Sequence, residues 1–310
     1  MAAIFNQQPR KGHSIIRQLL GLATFLALTP ASATSAAPAA APAATSTCPT
    51  AGTQSAKVAK VDERLDIILQ DGRSLHLAGL DPPQPTPDAP DFPARASDAL
   101  AAMVGGGISF LPLAPTPDRW GRIPAFVFLP PRTQGAPPEA AADFLLAQGF
   151  ARFMPTQEAH PCRAAFLAAE EKARRAKLGL WRDPYYAIIE ATNRAAFADK
   201  AATNVIVQGR LVDVTSTGVR TSLQFAPRRD RGFSVTILQR NVAIFDRSGL
   251  DFRALIGRIL RVRGLLDLRF GPHIEISSDD DIELITDGQK QGGTARQSET
   301  NAAPPPAKDP

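Results

Sequence analysis

Between residues 65 and 77, apolar side chains recur at every second position on both sides of an Asp-Gly pair. Leu65, Ile67 and Leu69 alternate with Asp66, Ile68 and Gln70; Asp71-Gly72 follows; Leu75 and Leu77 resume the alternation. A period of two sends successive side chains to opposite faces of a strand, and Gly supplies the positive φ of a tight hairpin turn. The segment therefore reads as a half-buried β-hairpin, with Val58 and Val61 leading in. Asp81-Pro82-Pro83 ends the return strand, because proline has no N–H to give to a ladder.

Helix and strand signals then alternate. Residues 94–104 read as a short helix stopped by Gly105-Gly106-Gly107, and residues 108–113 and 123–129 as strands joined by a loop with Pro115, Pro117, Asp118 and Gly121. Residues 139–148 read as a helix with Gly149 as its stop. From Pro161, a residue suited to a helix start, Cys162, Phe166, Ala169, Ala173 and Ala176 recur at steps of four and three and mark one buried face. Glu170, Glu171, Lys172, Arg174 and Arg175 lie largely off that face, on the side expected to be solvated. Gly179 ends this helix, and Trp181 is expected to plug the core. The Ala-rich connector 187–203 is expected to be helical. Beyond it, residues 204–286 alternate at Val205/Val207, Leu211/Val214, Phe233/Val235/Ile237, along 259–266 and at Ile274/Ile276, with a helical stretch at 251–256. Five short strands and one helix fit a small barrel of the OB type. The fold class expected is α+β, mainly β with helices, without a precise internal repeat.

A chain of 310 residues has room for about two domains, and its ends bracket the folded part. Arg10, Lys11 and Arg17 flank an apolar run at 19–28 that is too short to span a bilayer, and Ala31-Ser32-Ala33 fits a small-x-small cleavage site. Residues 1–33 thus read as a signal peptide cleaved near Ala33, with an uncleaved anchor as the alternative. The localisation expected is periplasmic or secreted, with no stable membrane span after cleavage. Residues 34–55, an Ala/Pro-rich linker, and residues 287–310, a tail, lack the large apolar residues a core needs and are expected to be disordered. Residues 56–186 make the first domain. Export permits a disulfide, for which Cys48 and Cys162 are the candidates; two unpaired thiols are the alternative. The formal charge of +5 permits nucleic acid, anionic lipid or an acidic envelope polymer as partner. The four histidines and two cysteines lack zinc spacing, and neither a Gly-rich phosphate loop nor a Gly-x-Ser-x-Gly motif occurs.

Four segments, in this order, resemble the thermonuclease (staphylococcal nuclease-like) family over roughly residues 58–184. They are the hairpin 65–72 with its continuation Leu75-His76-Leu77-Ala78-Gly79-Leu80-Asp81-Pro82-Pro83, the turn Asp118-Arg119-Trp120-Gly121-Arg122, the helix and exit 144–151, and the helix 169–181 with its Gly179-Leu180-Trp181 ending. The resemblance implies a five-stranded OB barrel with three helices and calcium-assisted phosphodiester hydrolysis. Such chemistry needs carboxylates to hold a hard cation, a base to activate water and two arginines to clamp the phosphate. Carried over residue by residue, Asp81 stands at the loop carboxylate that would ligate the metal and Arg122 at one phosphate arginine. His76 replaces the other arginine, Pro82 the usual Thr, and Gln84 the general-base glutamate. Where the second metal-ligating aspartate belongs, the chain has Leu65 or Arg64, depending on the counting. Asp66 is one residue off, which in a regular strand is the opposite face. Asp88 or Asp91 could stand in for a carboxylate, or be solvated turn residues.

The function expected from these substitutions is that of an exported thermonuclease-like protein with a largely degenerate site, binding nucleic acid or an envelope partner as a binder or scaffold, without a cofactor. The alternatives are a calcium-dependent nuclease with a rearranged site, and a structural envelope protein. In the second unit, Arg228, Arg229 and Arg231 cluster in one loop and are the candidate nucleic-acid-binding residues. Phe225 and Phe233 flank that loop, where an aromatic could stack on a base; at least one of them is expected in the core.

Overall fold

The computed structural model describes residues 48–131, 133, 138–227 and 232–285. The expected signal peptide, most of the linker, the 287–310 tail and Arg228, Arg229 and Arg231 lie outside the described residues. All described residues fall within one compact unit, Ala44–Pro310.

The alternation around Asp71-Gly72 forms a barrel wall. Strands β1 (Gln54–Val61), β2 (Ile67–Leu69), β3 (Ser74–Leu77), β5 (Gly107–Pro112) and β6 (Arg122–Phe128) close in the order β1-β2-β3-β6-β5. β3 and β6 run parallel and the other neighbours antiparallel. Ile67, Leu69, Leu75, Leu77 and Phe110 are buried inside. β1 starts within the stretch expected to be linker, because Gln54 and Ser55 pair with Phe110 and Ser109. Cys48, also within that stretch, is buried and joined by a disulfide to Cys162, Cα atoms 4.7 Å apart. Helices α1 (Phe92–Val104), α2 (Ala141–Gln148) and α3 (Arg163–Arg175) flank the barrel, and β4 (Leu80–Asp81) pairs with β7 (Arg152–Phe153).

Where α2 and α3 end, backbone meets backbone. Gly149 (φ 70°) and Gly179 (φ 52°) both adopt the left-handed conformation, and the Leu180 N–H donates to the Gly149 carbonyl at 2.9 Å. A Cβ on Gly179 would sit 2.2 Å from that oxygen, so only glycine fits. Leu180, not Trp181, is the core plug here: it is buried with Phe92 and Tyr186, while Trp181 is half-buried with Arg174 over its ring.

The second β unit contains β8 (Ile189–Glu190), β9 (Asn204–Arg210), β10 (Asp213–Ser216), β11 (Arg220–Gln224), β12 (Ser234–Leu238), α4 (Gln239–Arg247), β13 (Ile259–Asp267), β14 (His273–Ile276) and β15 (Ile282–Ile285). Two expectations are corrected. The connector 187–203 is not a helix: β8 adds in parallel to β9, and a single 3₁₀ turn covers Arg194–Phe197. Burial of Ile189, Ala191 and Phe197 in the second core overrides the alanine propensity. The helix lies at Gln239–Arg247 rather than 251–256; of the latter, Phe252 packs against Phe245 and Leu255 against the core, while Ile256 is exposed.

Only Leu211 and Val212 separate β9 from β10. Counted as one bent strand, they make the sheet run first, second, third, fifth, fourth and back to first, through β10-β11-β12-β14-β13-β9. The first barrel has this same order. In both, the third and fifth strands are parallel and a helix lies between the third and fourth.

The junction of the two units is built from buried charge. Glu170 of α3, expected on the solvated face, is 1% exposed. It accepts the Phe153 N–H at 2.9 Å and pairs with buried Arg263 of β13. Arg263 also reaches Glu283, at 2.6 Å, and the Phe153 carbonyl, at 2.8 Å. Arg163 and His160 both pair with Asp280, at 2.9 and 2.8 Å. Burial pushes Arg174, beside this network, down to about 10, with the Arg261 charge adding to the effect.

Candidate functional site

The site begins at the turn from β1 to β2. Asp62 Oδ1 accepts the N–H groups of Arg64 and Asp66, both at 2.9 Å, and Leu65 between them takes φ 63°. That irregularity buries Leu65 in the core and sends the Asp66 carboxylate toward β3 and β6. Asp66, 3% exposed, meets His76 Nδ1 at 2.7 Å through Oδ1 and Arg122 Nη1 at 3.2 Å through Oδ2. Parallel pairing of β3 with β6 brings Ser74 level with Arg122 and so sets His76 near it.

Arg122 is held from the other side by Asp118, whose Oδ2 accepts from Nε at 3.1 Å and Nη2 at 2.9 Å. Asp118 Oδ1 accepts the N–H groups of Trp120 and Arg122. Burial works against the Arg122 charge, but Asp118 and Asp66 outweigh it and raise the guanidinium above its ordinary value. Burial likewise opposes the Asp118 charge, and the Arg122 hydrogen bonds outweigh it, holding that carboxyl below the usual range. Trp120, at the tip of the turn, is 60% exposed, with the guanidinium groups of Arg119 and Arg122 over its ring at 3.9 and 4.9 Å.

Asp81 does not join this cluster. It sits directly across from Arg152 in the β4–β7 pair. Its Oδ2 accepts from Arg152 Nε at 3.1 Å and Nη2 at 2.6 Å, and its Oδ1 from Asn204 Nδ2 at 2.9 Å. Arg152 also donates to the Asn204 carbonyl at 2.8 Å and lies over the Tyr186 ring at 5.0 Å. Tyr186 Oη accepts the Gln84 N–H and donates to the Gln84 carbonyl, which fastens the loop backbone and leaves the Gln84 side chain exposed. Asp88 is exposed, and Asp91, also exposed, pairs with Arg95 at 3.2 Å.

Calcium takes about six to eight oxygen ligands. Both oxygens of Asp66 and both of Asp81 are already hydrogen-bonded to imidazole, guanidinium or amide groups. Among the described residues, the group of three side chains within metal-binding reach of one another is His160, Asp279 and Asp280, at the junction of the units. The carboxylates present at the barrel mouth therefore do not fit a calcium ion as arranged.

In the second unit, Phe225 and Phe233 are both buried, with ring centroids 5.3 Å apart, and Phe197 stacks on Phe233. Neither is available to a base, which corrects the expectation that one could stack. The candidate arginines Arg228, Arg229 and Arg231 lie outside the described residues.

A closed five-stranded barrel with three flanking helices and an Asp-Arg-aromatic-Gly-Arg turn beside its mouth defines a nuclease-like OB fold. Residues 74–183 match the family model described as Staphylococcal nuclease homologue, so the chain carries a domain of that family. The match takes in His76, Asp81, Gln84, Asp118 and Arg122 and begins after Asp66 and its irregular turn. No curated protein matches the chain.

Sequence reasoning did not find the part played by Asp66, Arg152 or Asn204. For Asp66 a signal exists: Asp62, four residues earlier, can close an Asx turn that supplies the missing irregularity. For Arg152 and Asn204 no local pattern points to Asp81, because the contact depends on how two units dock.

Proposed function

We propose that this chain is an exported protein whose nuclease-like barrel has lost hydrolysis and serves in binding or scaffolding, with nucleic acid as the favoured ligand. The observation that carries this reading is the engagement of Asp81 by Arg152 and Asn204. A metal ligand of the family pattern acts here as a fastener between two units. Gln84 at the general-base position supports the same reading, since an amide does not take up a proton at neutral pH. Export is supported by the N-terminal signal pattern and by the Cys48–Cys162 disulfide, a bond that persists in oxidising compartments. Among the described residues no helix is long and apolar enough to cross a membrane.

The rival reading, a calcium-dependent nuclease with a rearranged site, draws on the convergence of Asp66, His76 and Arg122. One assay decides between them: degradation of plasmid DNA and of RNA by the purified chain, with calcium and with chelator, beside Arg122→Ala. The binding reading expects no cleavage above that control. Calcium-dependent cleavage that disappears in Arg122→Ala overturns it.

A further inference from the structure

The two β units carry the same device between their fourth and fifth strands. In the first it is Asp118-Arg119-Trp120-Gly121, between β5 and β6; in the second it is Asp267-Leu268-Arg269-Phe270-Gly271, between β13 and β14. In each, an aspartate accepts a main-chain N–H two residues on, from Trp120 at 2.9 Å and from Arg269 at 2.8 Å. In each, that aspartate also pairs with an arginine of the turn, Arg122 or Arg269. A glycine of positive φ follows the aromatic, 79° at Gly121 and 102° at Gly271. The aromatic ring is left in solvent, and Phe270 is 91% exposed.

A phenylalanine so bare adds nothing to the core, yet the turn around it is tightly fixed. It borders a groove of about 860 Å³ along β11 and β12. Arg194, Arg220 and Arg269 line this groove together with Thr217, Ser222 and Gln224, and among the described residues no carboxylate does. Positive charge, hydroxyl and amide groups and one exposed ring meet on the face formed by the second and third strands and the turn between fourth and fifth. In small barrels of this topology that face receives oligonucleotides and oligosaccharides.

We propose that this face is a binding site for single-stranded nucleic acid, with a base stacked on Phe270 and phosphates on Arg220 and Arg269. The arginines call for an anionic polymer. The solvent-facing ring calls for flat, unstacked bases, which a duplex does not offer. The site names the ligand of the binding role proposed above and rests on that role.

The test is fluorescence anisotropy with a labelled oligothymidylate of about 16 nucleotides, in chelator, on the full chain. Phe270→Ala is expected to weaken binding about tenfold, one base–aromatic stack, while Phe270→Trp retains it. Arg220→Ala is expected to weaken binding and to lower the salt slope by about 0.7, one phosphate contact on a single strand. Since Phe270 is exposed, its removal leaves the melting temperature unchanged, which separates loss of binding from loss of fold. Oligonucleotide binding indifferent to Phe270→Ala, or lost only in Trp120→Ala, overturns this site and leaves the binding role standing. Heparin bound more tightly than the oligonucleotide, with the same Phe270→Ala loss, overturns the ligand class. No oligonucleotide binding by the wild-type chain overturns the proposal outright. Cleavage seen separately in calcium overturns the non-hydrolytic reading but not this site.

Discussion

Replacing Arg263 by Met tests how the two β units are joined. The guanidinium is buried and makes four hydrogen bonds: Nη1 to the Phe153 carbonyl and Glu170 Oε1, Nη2 to Glu170 Oε2 and Glu283 Oε1, at 2.8, 3.2, 2.9 and 2.6 Å. Burial opposes its charge, and the two glutamates outweigh that and hold its pKa above the ordinary value. Methionine fills similar space, so the main effect is electrostatic. Glu170, 1% exposed, would keep only the Phe153 N–H as a close donor, whereas Glu283 would keep Arg261 at 3.6 Å. Removing one partner of a buried pair costs about 3–5 kcal/mol; with one of the two glutamates still served, the expectation is near 3 kcal/mol. In a folded unit of this size that lowers Tm by about 6–12 °C, measured by circular dichroism at pH 7. Adding Glu170→Gln removes the stranded charge, keeps an acceptor for Phe153, and is expected to recover at least half of the loss. A loss below about 1 kcal/mol, or a double variant less stable than the single one, refutes the view that these charges bind the units through mutual compensation.

Three further outcomes are expected. Burial pushes the Glu283 carboxyl up, but Arg263 and Arg261 outweigh it and hold it below 4.5; its stabilising contribution is present above that unfolded value and is lost as pH falls through the lower folded one, so a melting series from pH 6 to 3 declines at its acid end and Glu283→Gln flattens the decline. Gly179→Ala forces a Cβ to 2.2 Å from the Gly149 oxygen at φ 52° and is expected to lose about 2–3 kcal/mol in denaturant titration. Calcium leaves the wild-type Tm unchanged, because Asp81 is engaged by Arg152 and Asn204, whereas Arg152→Met, less stable in chelator, regains part of its loss when calcium is added; an equal rise in both proteins speaks against that engagement.

The first barrel was legible because its first hairpin is amphipathic at period two and its turns carry Gly, Pro and Asp, although β6 buries Ala125 to Phe128 in succession. Leu65, Ile67, Leu69, Leu75 and Leu77 all went to the core. The second unit was legible in its buried strands and illegible at its polar ones. β11, with Arg220, Thr221, Ser222 and Gln224 around a single large apolar residue, has no apolar alternation to read, yet it lies in the middle of its sheet. Glu170 looked like a surface residue because charge patterning assigns lone ionisable groups to solvent, and only docking against Arg263 gives it a partner. Asp66 was misplaced by one residue because strand counting assumes regular backbone, and Leu65 is not regular. Both units were expected to be barrels of the OB type, but the strand order they share lies in hydrogen bonding and is read from the structure.

The position of Asp81 links these observations to function. In a free-standing barrel, a loop carboxylate at the mouth faces water and can take a cation at little cost. Here β9 begins at Asn204, and its side-chain amide and main-chain carbonyl complete a bonded circuit with Arg152 and Asp81. For Asp81 to ligate a metal, the Arg152 pair at 2.6 Å must open. Each hydrogen bond to a charged group is worth about 1.5–3 kcal/mol, and opening this pair would also leave a largely buried guanidinium unmatched. Asp66 faces a parallel constraint, since a cation approaching it must compete with Arg122 and His76. Metal binding in this arrangement would thus work against the docking of the second unit, and this competition is the ground of the non-hydrolytic reading proposed above. On the proposed binding role, the groove beside Phe270 rather than the mouth of the first barrel is the place to look for the ligand.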